Sequence, residues 1–374
     1  MREIAMATPW NCVLCGTGGT TDFLLNILLF APFGAMARAL RWPFGRLLLC
    51  AFGLTLSIEF IQGTLLVGRD ATLGDVMANT LGATLGWPLA AWWGSLGAEP
   101  RRARATALVL LCCQGLIWLG TGFGMRPVLD GPAPWVGRFS RAGSMSEPFA
   151  GSIQRAALDG IAVTMEPMSR LPAADDTLDL AVVLTRASAI PPKRSASIVR
   201  LVDATPRIFL RVSQIGQGIN VEIPLAANRW LLRTPDWRYA TALDIPVSEP
   251  WQFSWRRHAT SFQMTSAPAD APQRGTHQSL PVSIGLGWVW VHPFVSVISG
   301  TAVWWTALWI ATWFALLGWA GSLTGRRFSG VLLVASLALF VASGAITSLP
   351  VSIGELVAAV VGFGVGWVPN RARG

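Results

Sequence analysis

Residues 22–87 read DFLLNILLFAPFGAMARALRWPFGRLLLCAFGLTLSIEFIQGTLLVGRDATLGDVMANTLGATLGW. Its apolar runs, at about 23–40, 47–67 and 75–94, approach the ~20 residues that a helix needs to cross a bilayer. Short breaks join them, so the stretch predicts three consecutive membrane helices. It also carries Asp22, Asn26, Glu59, Gln62, Arg69, Asp70, Asp75 and Asn79. Polar and ionisable groups at membrane depth are costly and mark functional sites by default.

Three pieces of this stretch carry a family resemblance. They are DFLLNILLFAPFG at 22–34, SIEFIQ at 57–62 and RDATLGDVMANTLGATLGW at 69–87. In that order and spacing they resemble the VanZ-like family of multi-pass bacterial membrane proteins. The resemblance implies a role at the cell envelope, because the family's namesake is tied to teicoplanin (glycopeptide) resistance. It implies no reaction, since the family's biochemical activity is not established.

The rest of the composition agrees with a membrane protein. The chain has 374 residues, 52% hydrophobic and 13% charged, with 19 Trp. A net charge of +9 could point to nucleic acid. Topology explains it better, since ten of the 29 basic residues lie in short loops or at a terminus beside apolar runs. No basic and aromatic stripe of the kind that tracks a nucleic-acid backbone is present, so no nucleic-acid partner is expected.

Further apolar runs lie near 105–123, 295–320, 329–347 and 352–368, which makes about seven spans. Arg38, Arg41 and Arg46 fall between spans one and two, and Arg101, Arg102 and Arg104 between three and four. Arg326 and Arg327 fall between five and six, and Arg371 and Arg373 at the C-terminus. All sit on one side if the N-terminus is outside and the C-terminus inside. Residues 1–21 hold no run long enough for a signal-peptide core, so the first span serves as its own insertion signal. The expected location is the bacterial cytoplasmic (inner) membrane.

Four regions follow: an extracytoplasmic segment at 1–21, a four-helix VanZ-like domain at 22–123, an extracytoplasmic domain at 124–292 and three helices at 293–374. The third region reads as β. Segments 178–187, 197–204, 207–214, 218–225, 239–247 and 251–265 are rich in β-branched or aromatic residues and separated by polar, Pro or Gly breaks. An apolar strand, a strand ending in Asp, a hairpin and a Trp-led strand pair resemble a concanavalin/laminin-G-like jelly roll. Such domains often bind glycans, but fold alone does not assign function. Trp230, Trp237, Trp251 and Trp255 are the candidates for sugar stacking, with core or docking roles as the simpler reading.

The predicted orientation puts Asn26, Glu59, Gln62, Asp75 and Asn79 in the outer half of the bilayer, with Asp22 at the surface and Arg69 and Asp70 in the loop above. A shared polar cavity opening outward is the economical explanation. Simpler roles stand beside it. Thr72 with Asp75 fits a helix cap, Asn79 fits an interhelical hydrogen bond, and Gly82 with Gly86 fits close helix packing. Residues 352–367 align without gaps to 72–87, pairing Glu355 with Asp75 and Gly362, Gly366 and Trp367 with Gly82, Gly86 and Trp87. Spans five to seven therefore read as a degenerate copy of one to three, related by an axis along the membrane normal. The copy lacks Glu59 and Arg69, so any chemistry belongs to the first half.

Cys12 and Cys15 suit a local disulfide or two free thiols, with metal or redox chemistry as the alternative. Cys50, Cys112 and Cys113 read as small buried hydrophobes. Asp175, Asp176 and Asp179 crowd one loop and make a poor calcium site. His258, His277 and His292 lack ligand spacing, so no metal or cofactor is expected. Three functions remain open. One is an envelope binding protein that holds a lipid-linked precursor or anionic headgroup, with glycan or envelope proteins contacting the outer domain. The second is a membrane enzyme on a lipid-linked sugar, with Glu59 or Asp75 as general base. The third is a transporter or flippase. The first is favoured because no nucleophile–base pair or metal motif is legible.

Overall fold

The structure, a computed structural model, describes residues 9–16, 18–65, 71–96, 99–128, 133–140, 146–169, 178–205, 208–258, 260–292 and 297–367. Seven α-helices form one part of the described molecule: α1 (Gly19–Ala39), α2 (Phe44–Leu65), α3 (Leu73–Leu96), α4 (Pro100–Gly124), α5 (Ala302–Ser322), α6 (Arg326–Thr347) and α7 (Ile353–Gly366). Five of them, α1, α2, α4, α5 and α6, are long and apolar enough to cross a membrane. α3 has 24 residues, about 36 Å at 1.5 Å per residue, but its polar positions lower its hydropathy. α7 has 14, about 21 Å, shorter than a bilayer core of about 30 Å.

The helices are apolar outside and polar inside. Leu49, Phe60, Leu116, Val331 and Val365 are exposed, while Thr55, Glu59 and Asn79 are buried. A helix surface this apolar needs a lipid solvent. Cys50, Cys112 and Cys113 face outward too, which corrects their expected burial. They are small apolar side chains for which lipid, not a protein core, is the matching environment. At the helix ends away from the β domain, arginines sit over aromatic rings: Arg38 over Trp87 at 4.3 Å and Arg46 over Trp42 at 4.5 Å. Such cation–π pairs suit an interfacial belt.

α1 and α3 run parallel with their backbones touching. A Cβ added at Gly82 would meet the carbonyl oxygen of Ile27, one at Gly86 that of Ala31, and one at Gly34 that of Ala83. α5 and α7 repeat this register: Gly362 on Ala311, Gly366 on Ala315, Gly318 on Phe363. The repeat read from 72–87 and 352–367 thus extends to a helix pair with the same small-residue contacts. It weakens at the middle helix. α2 packs on α3, whereas α6 packs chiefly on α4 and α5 and touches α7 less.

The inserted domain is two sheets facing one another across a common core. Its strands are β1 (Val136–Phe139), β2 (Ser146–Pro148), β3 (Gly151–Leu158), β4 (Ile161–Ala162), β5 (Leu178–Arg186), β6 (Ser195–Val202), β7 (Ile208–Ile215), β8 (Gly218–Glu222), β9 (Asp236–Tyr239), β10 (Pro250–His258), β11 (Ser261–Pro268), β12 (Thr276–Pro281) and β13 (Val297–Ile298). Among the described residues one sheet runs β1-β6-β7-β8-β9-β13 with β2 beside β6, and the other β12-β11-β10-β5-β3-β4. Alternation in β5 (LDLAVVLTR) buries Leu178, Leu180, Val182 and Leu184 on one face. The segment expected as a strand at 239–247 is instead a run of turns, its strand having already passed at β9. β13 pairs parallel with β9, so the sandwich reaches past the expected boundary at 292 and α5 starts only at Ala302.

One sandwich carboxylate carries a pH signature. Asp236 is pushed up to about 6, first by burial and then by Glu222 nearby, against the opposing pull of Arg211 and Asn220. Between its ordinary value near 3.8 and about 6, the folded state holds a proton that the unfolded state has lost. Stability should therefore fall as pH rises through this window, by about 2–3 kcal/mol at most. Tryptophan-monitored urea unfolding from pH 4 to 7 will show that decline. Asp236→Asn, which can keep the Asn220 hydrogen bond, will flatten it.

Candidate functional site

The site begins at the start of α3. The first backbone N–H groups of a helix have no partner within it, and here they are met from four directions. Leu73 N–H donates to the carbonyl of Trp10 at 2.9 Å and Gly74 N–H to that of Cys12 at 3.1 Å. Asp75 N–H donates to Thr72 Oγ1 at 3.2 Å. Thr72 N–H donates to Glu59 Oε2 at 3.1 Å, reaching across from α2. Glu59, 3% exposed, therefore sits where the helix dipole is positive, which stabilises a buried carboxylate. The N-terminal segment lies over this helix start, and the sulfurs of Cys12 and Cys15 lie within bonding distance.

Asp75 is both a cap residue and a cavity residue. Its Oδ2 accepts from Thr72 Oγ1 at 2.9 Å, and its Oδ1 accepts from Asn26 Nδ2 on α1. One turn deeper, Asn79 donates through Nδ2 to Thr55 Oγ1 on α2 at 2.7 Å. Asn26, Glu59, Gln62, Asp75 and Asn79 line a cavity of about 130 Å³, closed on its apolar side by Leu29, Phe30 and Ile58. Asn79 is 4% exposed, and its Oδ1 accepts no hydrogen bond among the described residues. A buried acceptor left open costs about 1–3 kcal/mol unless something donates to it.

Asp22 is a correction. It does not line the cavity but pairs with Arg233 of the sandwich, whose other guanidinium nitrogen donates to the His292 carbonyl at 3.1 Å. Thr21 Oγ1 accepts from Arg233 N–H at 3.2 Å and Thr20 N–H donates to Leu231 at 3.1 Å. This end of α1 docks the β domain on the helices. Arg69 and Asp70 lie outside the described residues. Thr55 and Arg233 were missed in the sequence. Thr55 lies four residues before Glu59 and so on its face, a signal available but not used. Nothing local marked Arg233.

In the second half Glu355 closes a capping box with Ser352, accepting from Ser352 N–H at 2.7 Å, and also accepts from Ser283 Oγ. Ile310 stands where the α1–α5 register puts the counterpart of Asn26.

The sandwich carries its own concavity of about 330 Å³ on the outer face of the β3, β5 and β10 strands. Small side chains at Ala157, Ala181 and Ser254 floor it, and Arg155, Gln252 and Arg256 rim it. Arg256 donates to Asp179 at 2.9 Å. Asp175 and Asp176 lie outside the described residues. None of the four tryptophans considered for sugar stacking lines this concavity. Trp237 and Trp255 are core, Trp251 donates to Ser266 Oγ at 2.7 Å, and Trp230 is exposed elsewhere.

Residues 1–94 match the VanZ/LLP1 family model, which covers α1 to α3 and the N-terminal segment. No curated protein and no solved structure matches the chain.

Proposed function

As a membrane protein whose first three helices form a VanZ-family domain, the chain is best understood through the cavity those helices enclose, and we propose that this cavity binds the polar part of a lipid-linked envelope precursor. The unfilled, buried Oδ1 of Asn79 carries this reading. Around it stand two carboxylates, Glu59 and Asp75, so the cavity favours hydrogen-bond donors such as sugar hydroxyls or an amine. An anionic headgroup would need a cation at the cavity, and Arg69 is the residue proposed to supply it. With the arginine-rich helix ends in the cytoplasm, the cavity and the sandwich lie on the outer side, and the Arg155–Arg256 concavity would meet a glycan or envelope partner. A transporter is the second reading, favoured by the matched α1–α3 and α5–α7 pairs.

Native mass spectrometry of the purified protein tests the binding reading. Wild type should retain a discrete lipid-linked species. Asn79→Leu and Glu59→Gln should lower its occupancy about tenfold, the equivalent of one lost hydrogen bond to a charged or buried group. Asp22→Asn, a docking residue, should leave it unchanged. The same bulk phospholipids on all four proteins would make the cavity a packing feature.

A further inference from the structure

A cavity beside the second helix pair is mainly apolar. It measures about 500 Å³, within the ~300–1,000 Å³ typical of small-ligand sites. Its sandwich-side wall is Leu280, Val282 and Leu286, and its helix-side wall is Ala302 and Ala307 of α5. Ser352 and Glu355, at the start of α7, form with Ser283 a polar corner that holds the Glu355 carboxylate, and Thr260, Ser299 and Thr306 add hydroxyls along the walls. Val303 and Trp304, both exposed, stand at its edge on the outward face of α5. Tryptophan at a helix end suits the membrane interface. The cavity therefore borders the height where lipid chains meet headgroups.

We propose that this cavity holds a single hydrocarbon chain of a membrane amphiphile, with an uncharged hydroxyl end set against Glu355 and Ser352. The apolar walls supply binding energy by close packing against the chain, since a chain already in the bilayer gains contact rather than dehydration. The head is chosen by charge. Glu355 is 8% exposed and accepts from Ser283 and Ser352, so a further donor extends its set. A phosphate or carboxylate head would face it with like charge in a low-dielectric corner. The site is separate from the Asn79 cavity and does not depend on how that cavity is read. It also gives the second helix pair a role beyond scaffold. Where the first pair has the polar Asn26–Asp75 contact, the second has Ile310 and Glu355.

Photolabelling of the full chain in nanodiscs tests this, using a long-chain alcohol carrying a mid-chain diazirine and the matched fatty acid. The alcohol should crosslink to Leu280 and Val282, both buried on the sandwich wall, about tenfold more than the acid. Ala307→Trp should abolish those crosslinks, and the smaller Ala307→Leu should reduce them, while crosslinks to Trp304 from surrounding lipid persist. Glu355→Gln should narrow the gap between alcohol and acid. Wild-type crosslinks confined to Val303 and Trp304 would overturn the site. So would Leu280 crosslinks that survive Ala307→Trp in protein that still elutes as a single peak. Equal labelling by alcohol and acid would overturn the head-group assignment.

Discussion

Gly86→Leu will separate α1 from α3 and dismantle the membrane domain. The added side chain would start against the carbonyl oxygen of Ala31, a backbone atom that no rotamer change can move aside. Overpacking a filled site costs about 1–3 kcal/mol, and a backbone clash belongs at or beyond that upper end. The matched substitution Gly366→Leu meets Ala315 in the same way and should be as damaging. Gly53→Leu and Gly94→Leu are the controls, because a Cβ at either meets nothing within 4 Å. On a lipid-facing surface leucine is tolerated or favoured. Thermal unfolding in detergent, followed by size-exclusion profile, should show a lost or strongly shifted transition for the first two and little change for the second two. Equal behaviour of all four would mean that the helix pairs are not held by backbone contact.

Trp237→Ala should be the most destructive change in the sandwich. Trp237 is fully buried, and Phe262 lies between it and Trp255, joining the two sheets. Truncating a buried tryptophan leaves a cavity that costs about 3–5 kcal/mol. Trp230→Ala, at a residue half exposed, should cost under about 0.5 kcal/mol. Urea unfolding of the full chain reads both. The pair also bears on sugar recognition. A tryptophan that holds the core cannot offer its face to a sugar, which removes Trp237 and Trp255 as stacking candidates and leaves half-exposed Trp230.

Much of the site was legible because helical spacing is rigid. Glu59 and Gln62 share a face of α2, and Asp75 and Asn79 a face of α3, so their meeting followed from period and direction alone. The Thr72–Asp75 cap was legible for the same reason. Asp22 was misplaced because its partner, Arg233, lies 211 residues away and no local pattern announces it. The turns at 239–247 were read as a strand because YATALDIPV carries aromatic and β-branched residues, while β9 before it is only four residues long.

By itself the sequence determined that this chain lives in a membrane, that its polar residues gather at one level of three helices, and that α3 has a counterpart in α7. Those features depend on hydrophobic run length and on a periodicity that each helix carries alone. Only the tertiary structure decided which groups satisfy one another. Glu59 caps a helix it does not belong to, Asn79 is left with an open acceptor, and the second helix pair keeps the backbone contacts of the first while lining a mainly apolar cavity. The reason is physical. A buried polar group is worth what its partner makes it worth, and partners are chosen by packing between elements that the chain brings together from a distance.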